Sequence, residues 1–171
     1  MSDKLRRTQF LGREFLTWLL FRSFRDGGMI KLGDRTIEVY FERALTLDGE
    51  NPAREMATIK VDDPTRSEEV MLSLKLGKKV SKAMITLVID THEFTTNIDS
   101  STLALKSLKL PDAKGLDIYE IMEEKATFTD TVEDAVHQLF VQFVKMRIDD
   151  AEWSREAEEI AGWIDTDGVL G

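Results

Sequence analysis

Apolar positions recur at helical spacing near both ends of the chain and alternate with polar ones through its middle. From Phe10 to Phe24 the spacing predicts a helix, with Gly27-Gly28 as its stop. Leu11, Phe15, Trp18 and Leu19 form one stripe, and Leu16, Leu20 and Phe24 widen it. A helix apolar on most sides is either sandwiched inside the fold or used as an interface. Phe15, Trp18, Leu19 and Phe24 are the candidate interface residues. Met29–Leu32 before Gly33-Asp34 predicts a short strand and tight turn. Ile37, Val39, Phe41, Leu45 and Leu47 alternate with polar residues as a half-buried strand does. A turn over Asp48-Gly49 and Asn51-Pro52 leads to a return strand within Arg54–Val61, ended by Asp62-Asp63-Pro64.

The clearest strand pattern lies between Ser67 and Pro111. A helix begins near Thr65 or Ser67, with Glu68 and Glu69 suited to its positive end and Gly77 to its C-cap. Val70, Leu74 and Gly77, with Met71 and Leu72, are its expected buried side. Ala83, Ile85, Leu87 and Ile89 share one face of a strand whose other face, Met84, Thr86 and Val88, is mixed, as expected of a central strand. Phe94, Thr96 and Ile98 oppose Glu93, Thr95, Asn97 and Asp99, the one-face-wet pattern of antiparallel sheet. In the next strand Leu103 and Leu105 share a parity, while Leu108 and Leu110 have the other. That switch predicts a bulge near Lys106-Ser107.

The last third is helical. Leu116–Ala126 predicts a short acidic helix, and Asp130-x-x-Glu133 a capping pair for a second. Val132, Ala135, Val136, Leu139, Phe140, Phe143 and Val144 then make the best amphipathic face in the chain. Glu152–Ile164 could form a further helix on Trp153, Ala157, Ile160, Ala161 and Ile164. The fold class expected is α+β: an antiparallel sheet of about five strands packed with helices, with an acidic helical C-terminus. Residues 1–115 would form the sheet domain with its N-terminal helix. Residues 116–171 would pack on it as an acidic helical segment.

Charge changes this picture more than composition does. The net charge of −9 argues against nucleic acid if taken as a whole. Residues 1–60 carry 11 basic and 9 acidic side chains, residues 61–115 carry 8 of each, and residues 116–171 carry 4 and 15. The acid is confined to the last third, so basic groups elsewhere can gather on one face. Seven of the twelve lysines, Lys75, Lys78, Lys79, Lys82, Lys106, Lys109 and Lys114, fall in the central stretch, with no arginine between Arg66 and Arg147. Lysine is a flexible point charge suited to phosphate contact without base readout. The same lysines also serve as solvated sheet-edge and helix-end charges.

Catalytic chemistry has little to stand on. The two histidines, His92 and His137, lack an orienting partner in the sequence, and no nucleophile elbow or phosphate-binding glycine loop is present. Asp62, Asp63, Glu68 and Glu69, or Asp90, His92 and Glu93, could hold Mg²⁺ in a metal-dependent nuclease. Turn and cap roles account for the same carboxylates. No catalytic residue, metal or cofactor is assigned, and the chain is expected not to be an enzyme. The absence of cysteine agrees with a reducing cytoplasm, and no apolar run reaches membrane-spanning length.

One block of sequence carries a resemblance. Ser67-Glu68-Glu69, Leu74, Gly77-Lys78, Val80 and Lys82, the strand pair after them, and Leu103 to Leu110 resemble the C-terminal half of the recombination-associated protein RdgC family. The opening GREFLTWLLFRS, with Glu14 and Trp18, and Phe128 to Val144 extend the similarity over residues 10–150. The resemblance implies a cytoplasmic, nucleoid-associated bacterial protein that binds duplex DNA with little sequence preference. Family members do this as ring-shaped dimers and restrain RecA loading and recombination. Lys78 and Lys82 match the family pattern. The basic segment that can precede the family's Ser-Glu-Glu helix is here Val61-Asp62-Asp63-Pro64, so that contact is not carried over. Family proteins are about twice as long, so the resemblance implies that the family's N-terminal half is missing here, and it leaves room for a homodimer or a separate N-terminal-half partner.

The candidate DNA-binding residues are therefore Lys75, Lys78, Lys79, Lys82, Lys106 and Lys109. The alternative is a non-enzymatic interaction or dimerisation module acting through the Phe10–Phe24 helix.

Overall fold

A computed structural model describes residues 3–51 and 55–165, with side chains from residue 11 onward. The Pro52 turn, Arg54 and the tail from residue 166 lie outside the described residues.

Helix α1 (Asp3–Arg25) is followed by strands β1 (Met29–Leu32), β2 (Arg35–Asp48) and β3 (Ala57–Lys60). A single 3₁₀ turn, Pro64–Arg66, leads to helix α2 (Glu68–Lys75). Strands β4 (Lys79–Ile89), β5 (His92–Asp99) and β6 (Leu105–Lys109) come next, then helices α3 (Ile118–Arg147) and α4 (Asp150–Asp165). The fold is α+β, with all six strands in one antiparallel sheet. The order is β1-β2-β4-β5-β6, and β3 pairs with the far half of β2. β4 is central, as its two-sided pattern requires.

One face of the sheet is dry. Ile37, Val39, Leu47, Ile85, Leu87, Phe94 and Ile98 are buried there, with α1 lying along β4 and β2 and Phe128 of α3 on Phe94. The other side of α1 carries α3 and α4. Phe15 packs on Phe140 and Phe143, Trp18 on Phe143, and Phe21 and Phe24 on Trp163. The wide apolar arc of α1 is thus filled from two sides, and Phe15, Trp18 and Leu19 are at most 1% exposed. They are core and not a docking surface. Phe24 is half-buried between Trp163 and the Arg66 guanidinium.

Local chemistry fixes the ends of the elements. Ser67 caps α2, its hydroxyl accepting from Val70 N. Gly77, at φ +86°, ends it in a Schellman motif: Lys78 N donates to Ser73 O and Gly77 N to Leu74 O. Leu72 and Gly77 are exposed, contrary to expectation, because a helix this short buries only Val70, Met71, Ser73 and Leu74. The return strand is only four residues long, and β6 starts at Leu105 because Leu103 adopts φ +56°.

Asp130 does not cap a helix. Asp117 caps instead, accepting from Glu120 N at 3.0 Å, and α3 runs unbroken for 30 residues. No glycine or proline interrupts it. Thr127, Thr129 and Thr131 turn their hydroxyls onto the carbonyls four residues back, so none competes for the backbone as a cap would. On α4 the buried positions are Glu156 and Trp163, while Ala161 is exposed. The face is turned from the one its small apolar residues suggest.

Helix α1 crosses the β5–β6 turn at Gly12. A Cβ added there would collide with the carbonyl of Ser100. Gly12→Ala must displace backbone, so it is expected to cost about 3 kcal/mol, at the upper end of overpacking effects, in urea unfolding.

Candidate nucleic-acid interface

The face of the sheet away from α1 is open. Residues directly opposed on neighbouring strands share a face, so the register gives its rows. Glu38, Val88 and Glu93 make one row; Tyr40, Thr86, Thr95 and Lys109 the next. Met84, Asn97 and Lys106 make a third, and Thr58, Thr46, Lys82 and Asp99 a fourth. Lys60 sits beside the fourth, opposite Ala44.

Lys106 and Lys109 are three residues apart and would face opposite sides of a regular strand. A bulge resolves this. Asn97 pairs with Lys106 and Thr95 with Lys109, so Ser107 and Leu108 together oppose Thr96. Ser107 adopts φ +54°, and Thr96 Oγ1 donates to Lys106 O at 3.0 Å. The bulge expected at Lys106-Ser107 is present, and it puts both lysines on the open face. Ser107→Gly relieves the left-handed strain of a side-chain-bearing residue, set against the entropy glycine adds to the unfolded chain. The expected net gain is about 0.5–1 kcal/mol in urea unfolding, with the lysines left in place.

The candidate residues therefore divide. Lys82, Lys106 and Lys109 share the open face. Lys79 does not: its Nζ lies 3.4 Å from Glu14 Oε1 on α1, and Glu14 Oε2 accepts from Arg147 Nε at 2.8 Å. Lys79 thereby links β4 to the end of α3. Lys75 is exposed on the last turn of α2, and Lys78 is half-buried in the turn after it.

Lys82 and Lys106 line a depression of about 290 Å³ with Thr46, Met84, Asn97 and Asp99. It opens where β2 spends extra residues between Phe41 and Leu45 against β4. Lys82 Nζ is 3.9 Å from Asp99 Oδ2. Asp99 also accepts from Ser101 N at 2.9 Å and from Ser101 Oγ at 2.7 Å. Burial pushes the Asp99 carboxyl up, but the Ser101 hydrogen bonds and the charges of Lys82 and Lys106 outweigh it and hold the group below the usual carboxylate range.

The face is polarised. Its β4–β6 half carries Lys82, Lys106 and Lys109, while Lys60 stands on β3 at the opposite edge. Its β1 end carries Glu38, which accepts from Tyr40 Oη at 2.6 Å and raises the phenol's pKa. Glu42 lies between them, accepting from Thr86 Oγ1 at 2.6 Å. Asp99 and Asn97 belong to this site although lysine spacing alone did not include them. Alternation put Asn97 and Asp99 on the wet face, and only the register sets them beside Lys82 and Lys106.

A larger groove, about 640 Å³, lies elsewhere, bordered by Arg22, His137, Gln138, Lys145 and Met146. Its Arg22 is committed to Glu156 and Asp26, so it offers less free charge than the lysine face. The carboxylates considered for metal have other duties. Asp63 accepts from Thr65 N, Asp62 pairs with Arg43, and Asp90 pairs with Arg35. Among the described residues no three His, Asp or Glu side chains are grouped to hold a metal ion, and no helix is long and apolar enough to cross a membrane. The chain matches neither the models of known protein families nor the curated proteins.

Proposed function

We propose that this chain is an RdgC-like, non-enzymatic protein that binds DNA without reading its sequence. Its site is the β6 end of the open sheet face. The observation that carries the reading is the bulge at Ser107, which gathers Lys106 and Lys109 with Lys82 on one exposed surface. Three flexible ammonium groups hold phosphates and leave base edges unread. The acidic C-terminal third lies outside this face, so a negative total is compatible with a basic patch. The block around Gly77-Lys78 supports the same reading through its resemblance, which also implies a cytoplasmic, nucleoid-associated setting and the restraint of recombination. The test is retention of a duplex of arbitrary sequence at low salt. Binding that is indifferent to sequence and lost as salt rises supports the proposal, and no retention at low salt defeats it.

A second reading, self-association, is favoured by a different surface from the one expected. Leu116, Ile118, Tyr119 and Met122, just before and within the first turns of α3, are 61–96% exposed. A cluster of exposed large apolar side chains on a helix end fits a second copy of the chain. Light scattering decides it. A dimer mass that Tyr119→Asp reduces to the monomer supports self-association, and a strict monomer rules it out.

A further inference from the structure

We infer that Asp99 is a built-in competitor for phosphate, occupying Lys82 beside Lys106 until a nucleic acid displaces it. This rests on the nucleic-acid reading above and adds a regulator to the same surface. Asp99 ends β5 directly opposite Lys82, and its carboxylate lines the same depression as Lys82 and Lys106. The anion is fixed: Ser101 N and Oγ, from its own turn, both donate to Oδ1. Oδ2 is left to face Lys82. The lysines are the mobile partners, since the Lys82 side chain is 64% exposed on a four-carbon stem. A phosphate arriving at this end therefore finds Lys82 already facing a carboxylate, with Lys106 lining the same depression. The environment keeps Asp99 charged at neutral pH. A pair this exposed is weak, so Asp99 acts as a brake on binding and not a lock.

The test compares the full chain with Asp99→Asn. The amide still accepts from Ser101 but carries no charge. A labelled duplex of arbitrary sequence is titrated across a salt series. Asp99→Asn is expected to bind about two- to fivefold tighter at low salt, the span of a weak surface pair. Its log-affinity against log-salt slope steepens by up to about one unit, because Lys82 is freed for counterion release. Asp99→Ser serves as a second variant, and circular dichroism checks that each is folded. In a Lys82→Met, Lys106→Met background the effect of Asp99→Asn disappears, whereas a merely structural effect persists. Tighter binding by either folded variant that is lost in the Lys82→Met, Lys106→Met background supports the inference. If the native chain binds and both variants bind equally or more weakly, the inference alone is overturned. If the native chain does not bind at low salt, the nucleic-acid reading falls and takes the inference with it.

Discussion

Glu156→Ala lowers the unfolding free energy by about 3 kcal/mol, the scale expected when one member of a buried ion cluster is removed. Glu156 is 6% exposed and carries three donors. Trp18 Nε1 donates to Oε1 at 3.0 Å, Arg22 Nε to Oε1 at 2.7 Å, and Arg25 Nη1 to Oε2 at 3.2 Å. All three come from α1, so this carboxylate is the polar clasp between α4 and the helix at the centre of the core. Its loss leaves the Trp18 N–H without an acceptor and removes one anion from two guanidiniums. The effect stays at the lower end of the range for buried pairs because Arg22 keeps Asp26, and Arg25 keeps Asp26 and Glu159. Glu159 gives the contrast. It meets the same Arg25 at 2.6 Å, but its side chain is 53% exposed. Glu159→Ala is expected to cost less than about 1 kcal/mol. Urea unfolding of the two variants side by side checks both values, and equal losses would mean that burial is not what gives Glu156 its weight.

The sheet was readable from the chain because period-two alternation is a local signal. Ile85, Leu87 and Ile89, and then Phe94 and Ile98, announce their strands and their buried face. The parity switch between Leu105 and Leu108 announces the bulge, since one extra residue is the only way to keep both on the same side. Capping was readable at Ser67, where the hydroxyl, the following glutamates and Gly77 agree. The same logic failed at Asp130. An acid three residues before a glutamate signals a cap only if the backbone before it is not already helical, and nothing between Ile118 and Asp130 stops a helix.

Glu156 and Trp163 were missed for a different reason. A glutamate reads as a wet residue, and its burial depends on Arg22 and Arg25 from a helix over a hundred residues away. Trp163 donates to the Thr65 carbonyl and packs on Phe21 and Phe24, again long-range partners. The lysine site has the same character. Spacing grouped Lys75, Lys78, Lys79 and Lys82 as neighbours, whereas the fold turns Lys79 onto Glu14 and joins Lys82 to Lys106 across two strand pairings.

Replacing Lys82, Lys106 and Lys109 together by methionine is expected to weaken duplex binding on the order of a hundredfold at moderate salt. Methionine keeps most of the apolar stem, and all three side chains lie on the open face, so the core is not disturbed. Lys79→Met separates the two roles of lysine in this stretch. It removes one of the two cations that meet Glu14, leaving Arg147, and so lowers stability modestly, while the salt dependence of DNA binding stays as it is in the native chain.

The measurement that bears most directly on the lysine face is the slope of log affinity against log salt for the native chain and the triple variant. Each phosphate contact contributes about 0.9 to that slope, so the triple variant should be shallower by about 2 to 3 units. An unchanged slope, with both proteins folded and the native chain binding, would show that DNA is held somewhere else on the molecule.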